Sequence, residues 1–259
     1  MQLFPINRSA SIELGDNYNT SVFLDELKLL LSSYRIQKRI VYWQPEDFLI
    51  NKSESGFVID FAQNRIVYKK GIKKLLGYND NEFTMQLLRK ICHPDDYDVT
   101  TSIVKNAILY SLAYPEDNAE STLFISYRLK KKNGTYAKIL SQSNIISTDE
   151  KGNIASSFIR FTDISFMDKT KIVNWEFKSK NLIKDFFTRQ VYKTFQNFFT
   201  IREKEIIVKM KANLTNNEIG HKLNISKHTV ATHRKKILKK AKCHSSEELI
   251  QFCIGKGIV

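Results

Sequence analysis

A chain of 259 residues, 42% hydrophobic and 12% aromatic, is long enough for one large domain or two ordinary ones, and this composition excludes global disorder. Its net charge of +14 favours a polyanionic partner, either nucleic acid or an anionic membrane surface. The sequence shows no signal peptide, no apolar run of roughly eighteen residues that could span a membrane and no CxxC spacing among its three cysteines, so we expect a cytoplasmic protein with reduced thiols.

Residues 1–52 are expected to form an N-terminal extension, polar at first and then helical. Apolar side chains between Phe23 and Tyr34 follow helical spacing, and Pro45 then interrupts the pattern. A new unit therefore begins near Ser53.

Residues 53–165 predict an α+β domain with a five-stranded antiparallel sheet and helices on one face. A hairpin and a longer helix from Asp95 to Ala113 precede three further strands. The predicted strands are Gly56–Phe61, Arg65–Tyr68, Thr122–Lys131, Thr135–Ser147 and Ile154–Ile164. Asn133-Gly134 predicts a type I′ turn between the third and fourth of them.

Residues 166–199 are expected to form a linker helix, because they contain no Gly or Pro. An apolar stripe with steps of four or three residues is typical of an amphipathic helix. The stripe consists of Ile183, Phe187, Val191, Phe195 and Phe198. At this point the stripe either packs on the chain's own sheet or belongs to a helix that dimerises or relays a signal.

Residues 200–259 predict four short helices. Three of them begin with the capping-box spacing, in which a hydroxyl and a carboxylate satisfy each other's backbone amides. These boxes are Thr200-x-x-Glu203, Thr215-x-x-Glu218 and Ser245-x-x-Glu248, and Ser226 caps the remaining helix. The segment holds 13 Lys and Arg against 5 Asp and Glu, a concentration that a uniformly lysine-rich surface does not explain.

The helix after Ser226 has two distinct faces. Val230, Ile237, Leu238 and Ala241 share the face that must be buried, and His228, Thr232, Lys235, Lys239 and Lys242 lie on the opposite one. The turn before it has helix-turn-helix length, and the second helix of such a motif enters the major groove of DNA. We therefore expect Thr232 and Lys235 to meet base edges. Ser226, Lys227, Thr229 and Arg234 are expected to meet phosphates.

Four motifs give this segment its identity: Thr200-Ile201-Arg202-Glu203-Lys204-Glu205-Ile206, Asn217-Glu218-Ile219-Gly220, Ile225-Ser226 and Thr229-Val230-x-x-His233. Their order resembles the DNA-binding domain of LuxR/GerE-type transcription regulators over nearly all of residues 200–259. One departure is Gly220, where this family usually has alanine, and glycine there weakens a helix by up to ~1 kcal/mol.

The resemblance implies a four-helix domain that binds double-stranded DNA as a homodimer. It implies base-reading positions at Ala231, Thr232 and Lys235 and a dimer contact at Glu247, Leu249 and Ile250. The full set expected near the DNA backbone is Thr215, Asn216, Ser226, Lys227, Thr229, His233, Arg234, Lys236 and Lys239. RNA polymerase is a candidate further partner.

A second group of motifs lies in residues 53–165: Arg65-Ile66-Val67-Tyr68, Leu75-Leu76-Gly77-Tyr78, Glu82-Phe83, His93-Pro94-Asp95-Asp96 and Phe161-Thr162-Asp163-Ile164-Ser165. Together they resemble a PAS domain, with Lys70 a departure from the Asn or Ser often found there. The resemblance implies ligand sensing, cofactor binding or pairing with another protein.

The cofactor stays unknown from the sequence. The helix from Asp95 to Ala113 offers no histidine to haem, no flavin motif is recognisable, and His93 is interpreted as structural. A small apolar ligand in the core of this domain, or an empty structural core, remain as alternatives. The histidines and Cys243 of the basic segment match no common zinc spacing, so no metal site is expected.

We therefore predict a cytoplasmic, DNA-binding transcription regulator with a sensor domain, which binds no membrane and is not an enzyme. No phosphate-binding glycine loop or nucleophile-base set supports catalysis. One alternative is an interaction module whose basic tail docks an acidic partner. Another is a sigma-factor-like promoter-binding module, although segments that bind core polymerase and melt promoters are missing.

Overall fold

A computed structural model describes residues 53–259 together with Gln44, Phe48, Ile50 and Asn51. The helix predicted between Phe23 and Tyr34 lies outside the described residues. The chain divides into two compact units, Met1–Gln190 and Val191–Val259, and the second begins earlier than the boundary predicted at residue 200. Along the described part of the chain, no helix is long and apolar enough to cross a membrane.

The first unit is built on a six-stranded sheet in which every recorded pairing is antiparallel. Its strands are β1 (Glu54–Asp60), β2 (Arg65–Lys70), β3 (Thr122–Lys130), β4 (Tyr136–Thr148), β5 (Ile154–Asp163) and β6 (Asn174–Lys178). They lie in the order β2-β1-β5-β4-β3-β6. The predicted α+β fold with an antiparallel sheet is thus confirmed, with one strand more than expected.

Three helices lie between β2 and β3: α1 (Ile72–Leu76), α2 (Met85–Ile91) and α3 (Pro94–Ala113), and the 3-10 helix Pro115–Glu120 follows them. The α3 helix begins where predicted, because the His93 Nδ1 accepts a hydrogen bond from the Asp95 amide at 3.2 Å and Pro94 occupies the first turn. His93 therefore caps this helix, a contact that agrees with its interpretation as a structural residue.

Apolar side chains cover both faces of the sheet. Ile108 and Leu112 of α3 pack in one cluster with Phe61 and Ile154. Successive side chains of a strand alternate between the two faces of the sheet. Val58 of β1 points to the face opposite this cluster, where it packs with Phe48 and Phe158. The rings of Phe48 and Phe158 are stacked with centroids 4.0 Å apart.

The linker helix predicted over 166–199 is wrong in its extent. Residues Asn174–Lys178 form β6 along the free edge of β3, and a shorter helix, α4 (Lys184–Tyr192), follows. Trp175 and Phe177 alternate with exposed residues, the two-residue period of a strand. The Phe187 ring of α4 lies 5.0 Å from the Phe177 ring and 5.5 Å from that of Trp175, so the stripe packs here on its own sheet.

The buried carboxylate of Asp117 fixes the chain between β6 and α4. It accepts hydrogen bonds from the Tyr110 hydroxyl at 2.6 Å and the Ser179 hydroxyl at 3.1 Å. The backbone and side-chain amides of Asn181 donate to it as well, at 3.0 and 2.7 Å. One acid thereby joins α3 to the segment that leads into α4.

The turn at Asn133-Gly134 differs from the prediction. A type I′ turn needs positive φ at both central residues, but Asn133 keeps a negative φ and only Gly134 is left-handed, with φ 91°. The Gly134 amide donates to the Lys131 carbonyl at 2.9 Å, and the Lys131 amide donates to the Thr135 carbonyl at 2.7 Å. This pattern belongs to a three-residue hairpin loop that ends on a left-handed glycine.

The second unit contains the four predicted helices, α5 (Ile201–Lys211), α6 (Asn216–Leu223), α7 (Lys227–Ala241) and α8 (Ser246–Gly255), after the 3-10 turn Lys193–Phe195. They share one core, formed chiefly by Phe199, Ile206, Ile207, Ile219, Val230, Ile237, Leu249 and Cys253. Ahead of α5, the Phe198 ring lies 5.3 Å from that of Phe252 in α8.

Two of the three predicted capping boxes are complete, those of Thr200 with Glu203 and Thr215 with Glu218. At α8 the Ser245 hydroxyl does accept from the Glu248 amide at 3.1 Å. The Glu248 carboxylate, however, accepts from the His244 amide at 2.7 Å and not from the cap residue. The predicted position of this helix start is correct, although the reciprocal bond is shifted by one residue.

Candidate nucleic-acid interface

The α6 and α7 helices form a tight helix-turn-helix. Asn224 ends α6 with a left-handed backbone, φ 52° and ψ 46°, and the Ile225 amide donates to the Gly220 carbonyl at 3.0 Å. A Cβ added at Gly220 would lie 2.7 Å from the Ile225 carbonyl oxygen. Glycine at this position therefore permits the turn to approach the helix closely.

The buried face of α7 fixes how the helix presents its other side. Val230 and Ile237 are fully buried in the core of the second unit, Ala241 is nearly so, and Leu238 is half-buried against it. All four residues that were predicted to point inward thus do so. Because these contacts span almost the whole helix, α7 has little freedom to rotate about its axis.

The three predicted base-reading residues, Ala231, Thr232 and Lys235, are all exposed on α7. The Thr232 hydroxyl donates to the His228 carbonyl at 3.0 Å, which leaves its oxygen free to accept a hydrogen bond from outside. Lys235 reaches solvent one helical turn further along. Donor, acceptor and methyl groups therefore lie together on one exposed surface.

The predicted DNA-backbone residues are of two kinds. Ser226, Lys227, Thr229, Lys236 and Lys239 are exposed, and His233 is half-exposed. At the start of α7 the Ser226 oxygen accepts from the Thr229 amide at 3.0 Å and is hydrogen-bonded to the Thr229 hydroxyl at 2.9 Å. Hydroxyls, a lysine and a helix N-terminus here favour an anion such as phosphate.

The other backbone candidates already have partners within the second unit. The half-buried Arg234 donates to the Asn216 side-chain oxygen at 2.7 Å and to the Ser246 hydroxyl at 2.9 Å, so it joins α6 to α8. The Thr215 hydroxyl donates to the Glu218 carboxylate at 2.7 Å, which places a negative charge beside it. Arg234 and Asn216 therefore make structural contacts within the second unit, and their contact with the DNA backbone stays a prediction.

The acids near α7 leave most of its lysines unneutralised. Lys240 pairs with Glu203 of α5 at 2.9 Å, and burial would raise the pKa of Glu203, but the hydrogen bonds from Lys240 and Thr200 outweigh it and lower that pKa. Within the described residues, ion pairs are recorded for none of the lysines Lys227, Lys235, Lys236 and Lys239. The exposed side of α7 thus keeps a net positive charge.

The predicted dimer contact on α8 needs one correction. Glu247 is exposed and Ile250 is half-buried, but Leu249 is fully buried in the core of its own unit. A side chain that fills the core has no surface to offer a second subunit, so Leu249 is excluded. Ile254 is 41% exposed and lies four residues after Ile250, which places both on one face of α8.

Comparison with known families agrees with both units. Residues 65–156 match the PAS fold, and residues 197–253 match the family described as bacterial regulatory proteins, luxR family. The chain contains a PAS domain and a LuxR-family domain. The resemblances inferred from the sequence motifs are thereby confirmed, and the matched family is one of regulatory proteins and not of enzymes.

Two relatives are similar to about a quarter of this chain. The uncharacterized response regulatory protein YgeK of Escherichia coli is 42% identical over 62 residues, which cover 24% of this chain and 42% of that protein. The transcriptional regulatory protein YxjL of Bacillus subtilis is 39% identical over 61 residues, 24% of this chain and 28% of that protein. The chain therefore spans less than half the length of either relative.

Solved structures show more distant likenesses. The N-terminal PAS/PAC sensor domain of a diguanylate cyclase from Marinobacter aquaeolei is 19% identical, covers 44% of this chain and 96% of its own, and gives a TM-score of 0.35. A VqmA dimer from Vibrio cholerae is 15% identical over 79% of this chain and 83% of its own, with a TM-score of 0.29.

Proposed function

We propose that this chain is a sequence-specific, DNA-binding transcription regulator in which the LuxR domain, residues 200–259, binds double-stranded DNA. The observation that carries the proposal is the arrangement of α7. Val230 and Ile237 lock one side of the helix into the core, while Thr232 and Lys235 lie exposed beside unneutralised lysines. A rigid cationic helix with exposed donors and acceptors suits the major groove.

Separate roles follow for two lysines. Lys235 lies where a side chain can donate to guanine O6 and N7, so its contact depends on the base. Lys227 lies in the first turn of α7, where a cation meets the DNA backbone whatever the sequence. Loss of the first should change base preference, and loss of the second should weaken all sequences alike.

The experiment selects bound fragments from random DNA and then measures their affinity at several salt concentrations. Lys235→Ala should cost about 1–3 kcal/mol at one base position and relax the preference there. Lys227→Ala should weaken every sequence and lower the salt slope by about one. Lys151→Ala, a loss of the same charge at an exposed turn of the PAS domain, is the matched control.

Equal binding of all sequences by wild type and Lys235→Ala would contradict sequence-specific recognition. Absence of salt-dependent DNA binding altogether would favour the alternative, an interaction module whose basic helix docks an acidic partner.

We further propose that the chain acts as a homodimer through the exposed side of α8, formed by Glu247, Ile250 and Ile254. The exposed Ile254 and the half-buried Ile250, one helical turn apart, leave apolar surface that is suited to burial against a second copy. Ile254→Glu should therefore shift the protein toward the monomer in analytical ultracentrifugation. Val208→Glu replaces another exposed apolar residue, on α5, and should leave the monomer fraction unchanged. If both substitutions raised the monomer fraction equally, the result would contradict a dimer contact on α8.

The PAS domain, residues 53–165, is proposed to sense a signal and to alter the geometry of the dimer. Support comes from α4, Lys184–Tyr192, which packs on the PAS sheet through Phe187 and continues into the second unit. A cytoplasmic location and contact with RNA polymerase belong to the same proposal, as expected of a transcription regulator.

A further inference from the structure

The PAS domain contains a partly open cavity of about 190 Å³ between its sheet and the helices α2 and α3. Phe57, Ile59 and Phe161 line it from the sheet, and Val104 and Ile108 line it from α3. An apolar cavity of roughly 150 Å³ can hold benzene, so this one suits a compact molecule of roughly six to nine non-hydrogen atoms.

Several hydroxyl side chains lie on the cavity wall, and the hydroxyl groups of two of them, Tyr97 and Thr100, have no hydrogen-bond partner among the described residues. Tyr97 and Thr100 both line the cavity, and they lie three residues apart on α3, on one side of the helix. Their hydroxyl oxygens are buried and form no hydrogen bond with any described residue. A buried hydroxyl without a partner is unfavourable, so a molecule that supplies one gains the corresponding free energy.

The charge of the cavity wall further limits which kinds of molecule can bind. Arg89 contributes the cavity's only charged side chain among the described residues that line it, and no carboxylate lies there. A guanidinium group only donates hydrogen bonds, and both hydroxyl groups can donate as well. The wall therefore favours a molecule with an acceptor oxygen and disfavours a cation.

We propose that this cavity binds a compact, mostly apolar molecule whose carbonyl or carboxylate oxygen accepts hydrogen bonds from Tyr97 and Thr100. This inference deepens the sensing part of the proposed function by assigning the chemical class of the signal. It is independent of how the LuxR domain recognises DNA.

The test measures binding of three probes of equal size to the full chain by isothermal titration calorimetry, without DNA. Acetophenone carries a neutral acceptor, benzoate carries an anionic one, and isopropylbenzene carries none. Each acceptor probe should bind roughly tenfold more tightly than isopropylbenzene, the ratio expected for about one buried hydrogen bond. Tighter binding of benzoate than of acetophenone would assign an anion, with Arg89 as its countercharge.

Two variants of nearly unchanged volume test the assigned contacts. Tyr97→Phe and Thr100→Val should each weaken binding of the acceptor probes about five- to tenfold and leave isopropylbenzene unaffected. Tyr136→Phe removes the hydroxyl of a tyrosine that does not line the cavity and should change nothing. Failure of all three probes to bind, or equal binding of all three to wild type and both variants, would overturn the proposal. Because DNA is absent from the assay, either result leaves the DNA-binding proposal untouched.

Discussion

Replacement of Arg234 by alanine should destabilise the LuxR domain and not remove a phosphate contact. Its guanidinium donates to Asn216 of α6 at 2.7 Å and to Ser246 of α8 at 2.9 Å. Hydrogen bonds with a charged partner contribute about 1.5–3 kcal/mol each when buried. Because Arg234 is only half-buried, water compensates for part of the lost hydrogen bonding. We therefore expect the free energy of unfolding to fall by about 2 kcal/mol, or roughly 30-fold in the folded-to-unfolded ratio.

Hydrogen exchange followed by mass spectrometry is the suitable assay, because it reports on single helices. Tryptophan fluorescence is not suitable, since Trp43 and Trp175 both precede the second unit. Peptides from α6 and α8 should lose roughly 30-fold in protection in Arg234→Ala. Asn216→Ala should lose only part of this protection, because the hydrogen bond from Arg234 to Ser246 survives. Lys236→Ala, an exposed neighbour on α7, should retain full protection.

The DNA-binding assay distinguishes a cation that stabilises the domain from one that contacts a phosphate. In Arg234→Ala the fraction that remains folded should bind with the wild-type salt slope, whereas Lys227→Ala should lower that slope by about one. Unchanged protection of α6 and α8, together with a slope lowered by about one in Arg234→Ala, would refute the structural role and restore the phosphate contact.

Two further predictions concern single buried positions. Gly220→Ala should destabilise the LuxR domain by about 1 kcal/mol in thermal unfolding followed by circular dichroism, because overpacking against the Ile225 carbonyl costs about 1–3 kcal/mol and helix propensity returns about 1 kcal/mol. His221→Ala on the exposed side of the same helix is the control, and a stabilised Gly220→Ala would contradict the clash. Burial raises the pKa of Asp117, but hydrogen bonds, that from Tyr110 foremost, outweigh burial and lower it. The stability that the Asp117 carboxylate contributes is therefore present above the unfolded pKa of about 3.9 and is lost as pH falls through the folded pKa. In urea unfolding, Asp117→Asn should therefore be less stable than wild type at neutral pH and about as stable as wild type at low pH. A deficit that is the same at neutral and low pH would count against a charged Asp117.

Local rules in the sequence predicted most of the LuxR domain. Hydroxyl caps begin each helix, and a period of 3.6 residues separates the buried Val230 and Ile237 from the exposed Thr232 and Lys235. These features depend on neighbours within one or two helical turns, so a single sequence contains the necessary information.

Features that the sequence did not predict arise where the partner is distant in the chain. Strand β6 forms because β3 has a free edge with which it can pair. In the sequence alone, five alternating residues ahead of a helical stripe are only weak evidence for a strand. Arg234 belongs to a basic run, yet its hydrogen-bond partners lie on α6 and α8. Leu249 and Ile250 are adjacent in sequence, and the packing of α8 decides which of them enters the core.

In the proposed function, the same long-range contacts determine how accurately α7 can read DNA. The core holds Val230 and Ile237, Arg234 connects the two helices on either side in sequence, and Lys240 is paired with α5. A recognition helix fixed in this way loses only side-chain freedom on binding, so less of the binding free energy is spent on ordering it. Substitutions in the fixing contacts should therefore lower affinity for all sequences in proportion to the folded fraction. Only substitutions at exposed positions such as Lys235 should change which sequence is preferred.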